Sequence, residues 1–203
     1  SLIPEFQYST PGAFYYFRKD PYGRLNELIP ESRQGSRSSL SERRLYGISR
    51  FFHNLIFEPG TKGFALMRSL AAKLKGSRLE GLLHKLEHLL KTLLYDCRDC
   101  GDCALVDVAF LCPMSQCPKQ QRNGPCGGSF QGWCEVYPGR RRCVYVRAYD
   151  RLRGSQQESR LEEIPVPPCN WDLNSSSGWL NFFLGKDHTA KRLGIEEPSD
   201  QSR

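Results

Sequence analysis

Thiols are the groups in this chain whose number and spacing could do chemistry. Eight of the nine cysteines fall between Cys97 and Cys143. They begin as Cys97-Arg98-Asp99-Cys100-Gly101-Asp102-Cys103, continue as Cys112-Pro113 and Cys117-Pro118, and finish at Cys126, Cys134 and Cys143. Such a density is hard to explain as core packing. Eight thiols can hold two 4Fe–4S clusters, bind zinc in one or both of two sites, or form four disulfides. No secretory leader opens the chain, and thiols stay reduced in the cytoplasm, so the composition favours metal over disulfide.

The opening triple sharpens the choice. Structural zinc usually takes two separated C-x2-C pairs. Here C-x2-C-x2-C brings three thiolates to one compact turn, as in the cluster loops of bacterial ferredoxins, although the two Cys-Pro steps are not at ferredoxin spacing. Eight ligands make two four-thiolate shells. The first is read as Cys97, Cys100, Cys103 and Cys117, the second as Cys112, Cys126, Cys134 and Cys143. Cys112 and Cys117 are interchangeable on the sequence alone. Cys169, beside Pro167-Pro168, is read as a partly buried thiol outside both shells. Gly101, Gly124, Gly127 and Gly128 would let backbone N–H groups approach cluster sulfur, since glycine has no side chain in the way. Arg98, Lys119, Arg122 and Arg140–Arg142 supply positive charge that would tune a potential.

The elements that must position these thiols divide the chain into four zones. Residues 1–40 are turn-rich and read as an extended connector whose aromatic knot, Phe14-Tyr15-Tyr16-Phe17, docks elsewhere. Residues 41–95 read as an amphipathic helical block. Leu45, Ile48, Phe52, Leu55 and Ile56 keep a helical period, Glu58-Pro59-Gly60 breaks it, and a second stretch runs from Phe64 to Leu74. Ser77-x-x-Glu80 is a capping box for a third helix, whose leucines from Leu79 to Leu94 line one face. That face is expected to pack on the other helices and brace the cysteines. Residues 96–153 are the loop-rich cysteine domain, with a helix expected near 104–111 and a strand over Arg142–Tyr149. Residues 154–203 form a polar tail with one apolar helix near Trp179–Leu184, its end from Glu196 onward read as disordered. The fold class is therefore α plus irregular, with little strand.

Other signals are weak. The net charge is +7, and segment 41–95 holds ten Lys/Arg against four Asp/Glu. It has no long basic run and no aromatic platform, so a solvated helix face is expected rather than a nucleic-acid surface. No apolar run approaches membrane-spanning length. His84 and His88 lie four apart but opposite the leucine stripe, which reads as a solvated face. His53 and His188 have no visible companions. No P-loop, dinucleotide fingerprint or nucleophile context occurs, so the chain shows no catalytic constellation of its own.

The string from Cys97 to Arg153 resembles the C-terminal domain of methylenetetrahydrofolate reductases. The likeness rests on Cys97-x2-Cys100-Gly101-Asp102-Cys103, Leu111-Cys112-Pro113-x3-Cys117-Pro118-Lys119, Asn123-Gly124-Pro125-Cys126-Gly127-Gly128-Ser129, Gly132-x-Cys134-Glu135-Val136 and Tyr149-Asp150-Arg151-Leu152. That domain occurs fused behind the reductase's flavin barrel, or in the small iron–sulfur subunit of the two-subunit acetogen-type enzyme. Residues 1–96 contain no cysteine, unlike the stand-alone subunit, so the fused form is expected, with the barrel upstream of Ser1. The resemblance implies a cytoplasmic module of one-carbon metabolism. Its two 4Fe–4S clusters (alternatively zinc) would pass electrons from an unidentified donor to a flavin on the partner barrel.

Overall fold

The computed structural model of the protein describes residues 40–153, 156–163 and 165–197. The Phe14–Phe17 knot and the tail from 198 onward lie outside them. Three helices come first: α1 (Leu40–Ile56), α2 (Lys62–Leu74) and α3 (Arg78–Tyr95), with α2 packed on both α1 and α3. The breaks fall where turn residues demand them, with Gly60 and Gly76 at positive φ (90° and 75°). Thr61 caps α2, its hydroxyl accepting from the Phe64 N–H at 3.1 Å. The expected capping box on α3 is altered. Ser77 Oγ donates back to the Leu74 carbonyl at 2.8 Å, and Glu80 accepts from the Gly76 N–H at 2.7 Å.

The third helix is turned the other way from its leucine pattern. Of that stripe, Leu83 packs against Phe64 and the tail phenylalanines, but Leu79, Leu82, Leu86, Leu90, Leu93 and Leu94 are all exposed, Leu93 at 74%. The buried line of α3 is polar, with Glu87 and Lys91 facing the protein. The stripe therefore does not brace the cysteines. That task falls to the face bearing His84, Glu87, His88 and Lys91.

Beyond α3 the chain consists of turns and short elements: α4 (Pro113–Gln116), a hairpin of β1 (Ser129–Phe130) and β2 (Trp133–Cys134), α5 (Val144–Arg153) and α6 (Arg160–Glu163). A 3-10 turn at Trp171–Leu173, α7 (Gly178–Phe183) and α8 (His188–Arg192) follow. The hairpin is antiparallel, with Ser129 opposite Cys134 and Phe130 opposite Trp133. The fold is mostly helical with little strand.

Two local expectations are corrected. Residues Arg142–Tyr149 are not a strand. Val144, Tyr145, Ala148, Arg151 and Leu152 are buried at helical spacing, and that period outranks the Val144/Val146 alternation. Residues 104–111 form successive turns rather than a helix, because Ala109 and Phe110 both sit at positive φ (49° and 57°), where a right-handed helix cannot continue.

Two of the apolar clusters among the described residues join the helices to the later chain. Tyr46 of α1, Val108, Leu111 and the buried face of α5 form one. Phe64 and Ala71 of α2 meet Leu180, Phe182, Phe183 and Leu184 from the tail in the other. The tail is thus tied back onto the helical block, and the Glu196 carbonyl still accepts from Arg68 at 2.9 Å.

Candidate metal centres

The loop leaving α3 carries Cys97, Cys100 and Cys103, and Cys112 enters from the residue capping α4. Their charges interact. Burial raises Cys103, Lys91 and the Leu105 N–H oppose the rise, and Cys112 and Cys97 add to it, leaving the thiol at about 11. Burial also raises Cys100, with Cys103, Cys169 and Cys112 adding to it and Arg122 opposing. Cys97 is raised by burial and then by Cys112 and Asp99, against the Asp99 N–H and Lys91. Cys100 and Cys112 are buried together with Leu105 and Met114.

Cys117 leaves the other end of α4 and joins Cys126, Cys134 and Cys143 around one narrow cleft. Burial raises Cys143, and Cys134 and Cys126 add to the rise, while the N–H groups of Val146 and Tyr145 oppose it. Cys126 is exposed, and its thiol faces Glu135 at 3.7 Å. Glu135 pairs with Lys119.

The eight thiols therefore sort into two fours, and α4 does the sorting. The assignment expected for the two Cys-Pro residues is reversed: Cys112 stands with the triple, Cys117 with the later cysteines. The two residues cap opposite ends of a four-residue helix and pack in different clusters. All nine cysteines are free thiols, and Cys169 is half-buried against the first group. Among the described residues no three Cys, His, Asp or Glu side chains converge closely enough to ligate one ion.

The donor sets suit a thiolate-bound group in other respects. The Asp99 N–H lies 3.4 Å from Cys97 Sγ, and Lys91 Nζ 3.7 Å from Cys103 Sγ. Hydrogen bonds and positive charge at sulfur favour the ionised ligand form. Burial alone would lower the Lys91 ammonium's pKa, but the Cys103 and Glu87 charges outweigh it and hold Lys91 above its ordinary value.

The candidate glycines serve the protein's own contacts. A Cβ on Gly101 would strike the Leu173 carbonyl, and one on Gly128 the Glu135 carboxylate. Gly124 donates to Tyr145 Oη at 3.2 Å, and Gly127 holds a positive φ of 77°. Of the candidate cations, Arg122 is buried against Asp102, Arg142 pairs with Asp150 at 3.0 Å, and Arg141 lies over the Tyr137 ring.

Several functional-looking residues were missed or misjudged from sequence. His84 and His88 are not a solvated pair: His84 Nε2 meets Asp99 Oδ1 at 2.8 Å, and His88 stands behind it at 3.8 Å, steadying the Cys97–Cys100 loop. His53 is stacked on Phe57, and burial, with the nearby Arg160 charge, lowers it to about 4. His188 has two companions. Its Nδ1 meets Asp102 at 2.6 Å and its Nε2 meets Asp107 at 2.9 Å. Burial would lower its pKa, but the two carboxylates raise it to about 9. Asp102, fully buried, also accepts from the Arg122 guanidinium at 3.0 Å and the Asn170 N–H at 3.0 Å. The one sequence signal for Lys91 was Glu87-x3-Lys91, an i,i+4 pair opposite the leucines.

Residues 77–172 match the family model described as methylene-tetrahydrofolate reductase C terminal. The match covers a little under half of the chain. The matched reductase C-terminal segment begins at the cap of α3 and ends inside the 3-10 turn, so it holds Lys91 and all nine cysteines. The residues that lock it from outside, Ser177 and His188, follow it. No curated protein and no solved structure matches the chain. Among the described residues no helix is long and apolar enough to cross a membrane.

Proposed function

We propose that this chain is an electron-transfer module of a methylenetetrahydrofolate reductase in the cytoplasm. Cys97, Cys100, Cys103 and Cys112 would hold one 4Fe–4S cluster, and Cys117, Cys126, Cys134 and Cys143 the other. Such a cluster, when bound, takes up and returns single electrons. The protein's own part is to hold the thiols, donate hydrogen bonds to sulfur and exclude water from the first group. The electrons would come from a separate donor and pass to the flavin of a reductase barrel, fused upstream or carried on another subunit. Reduction of methylenetetrahydrofolate would take place there. The exposed leucines of α3 and the apolar residues of α1 would dock the module on that barrel.

The observation that carries this reading is the division of eight thiols into two fours on either side of α4. The reading is tested by anaerobic purification of the chain followed by iron, sulfide and zinc analysis. Two clusters predict about eight iron and eight sulfide per chain and a brown protein. Stoichiometric zinc without iron would instead make the segment a structural zinc module at an interface.

A further inference from the structure

Lys91 stands out on physical grounds. It is 7% exposed and lies on the buried face of α3. Its ammonium has three neighbours: Glu87 Oε1 at 2.5 Å, Cys103 Sγ at 3.7 Å and the Trp179 ring, whose centroid is 5.6 Å away. Glu87 is 2% exposed and shared among other donors. It accepts from the Trp179 N–H at 3.1 Å and from the Ser177 hydroxyl. Part of its charge is thereby directed away from the lysine.

Burying such a pair is costly, and apolar residues of the same volume would often serve stability as well or better. The fold nevertheless makes room for it. A Cβ on Gly178 would lie 3.0 Å from Lys91 Nζ, 3.3 Å from Glu87 Oε1 and 3.4 Å from Cys103 Cβ. The lysine, the glutamate and the thiol thus meet around the one residue type that leaves space for all three. The cleft of the second group is lined instead by Lys119, 42% exposed and paired with Glu135, and by Arg142, paired with Asp150.

We infer that Lys91, held by Glu87, sets the reduction potential of the centre formed by Cys97, Cys100, Cys103 and Cys112, and not that of the other centre. The inference rests on the electron-transfer reading above. Uptake of one electron from a low-potential one-electron donor adds one negative charge beside Lys91. No bond to the lysine forms or breaks, and its proton stays in place. A fixed cation and an N–H···S contact stabilise the more negative state, so they raise the potential. The negative charge of Glu87 opposes this. Lys91 is therefore a positioning and tuning residue, not a catalytic one.

The test is a redox titration of the whole chain, purified anaerobically, followed by electron paramagnetic resonance with dithionite as reductant. Wild type, Lys91→Met and Glu87→Gln are compared, with iron and sulfide measured in each. The Cys134→Ser variant identifies which one-electron step belongs to the second centre. Lys91→Met is expected to disfavour reduction of the first centre at least tenfold, a fall of about 59 mV for a one-electron couple. Glu87→Gln is expected to move the same step upward, leaving the second step in place in both variants. Unchanged potentials, shifts of the same sign, or equal movement of both steps would overturn the inference. If Lys91→Met alone loses iron, the sign of the Glu87→Gln shift decides. Loss of the first centre's iron in both variants would make the pair a mere support and also overturn it. A wild-type chain without iron would sink the electron-transfer reading itself, which is a different result.

Discussion

The two thiol groups are built in different ways. The first is anchored by contacts from far along the chain. Asp102, between two of its cysteines, is bound by Arg122, Asn170 and His188, and the Lys91–Glu87 pair beside Cys103 is held by Ser177 and the Trp179 backbone. The second is local. Its parts are a two-residue hairpin, a Cys134 N–H to Arg141 carbonyl bond at 2.9 Å and a Cys143 N–H to Gly132 carbonyl bond at 2.9 Å. Cys126 lies on its open rim. The first group's loop has a polar core of its own. The second must draw more of its order from what it binds.

The largest test of this contrast is Asp102→Asn. It leaves Arg122 without its buried counter-charge and His188 with Asp107 alone, and is expected to cost about 3–5 kcal/mol, read by urea unfolding. A loss below about 1 kcal/mol would show that the polar junction does not anchor the first group. The pH dependence of stability comes next. His188, raised to about 9 between Asp102 and Asp107, with Arg122 and Arg192 on the same carboxylates, stabilises fully below its ordinary value near 6.5. That contribution is lost as pH rises through about 9. Asp102 and Asp107 are raised by burial but held below the usual carboxylate range by the bonds they accept, so their contribution is lost as pH falls beneath that range. Thermal unfolding should show a loss on the order of 2–3 kcal/mol on the alkaline side. His188→Gln should flatten that alkaline limb.

Removal of the proposed clusters separates the groups directly. After chelation, amide exchange should rise at least tenfold, about 1.4 kcal/mol, across 126–143 and markedly less across 97–105. Equal loss of protection in both would erase the distinction. The smallest effect is expected from Glu135→Gln. Its partner Lys119 is 42% exposed, so the change should cost under about 1 kcal/mol by denaturant unfolding.

Much of this architecture was legible in the residues. The three opening helices, the breaks at Glu58-Pro59-Gly60 and Lys75-Gly76, and the sparse strand follow from period and turn chemistry. Orientation was not. The helical spacing of the α3 leucines predicts that they form its buried face, yet the helix buries Glu87 and Lys91, because partners for those charges exist on the tail and at Cys103. Val144 and Val146 satisfy two periods over a short window, and the contacts of Ala148 and Leu152 decide between them. His188 had no neighbour in sequence, since Asp102 and Asp107 lie more than eighty residues before it.

The chain's chemistry was determined locally. A count of thiols, the C-x2-C-x2-C turn and the Cys-Pro steps are properties of consecutive residues, and they name the kind of ligand whatever the fold. Which thiols share a centre, which cation faces them and which helix face is buried depend on groups brought together from distant positions. Those outcomes are set by charge pairing and desolvation in three dimensions, and short-range pattern carries no record of them.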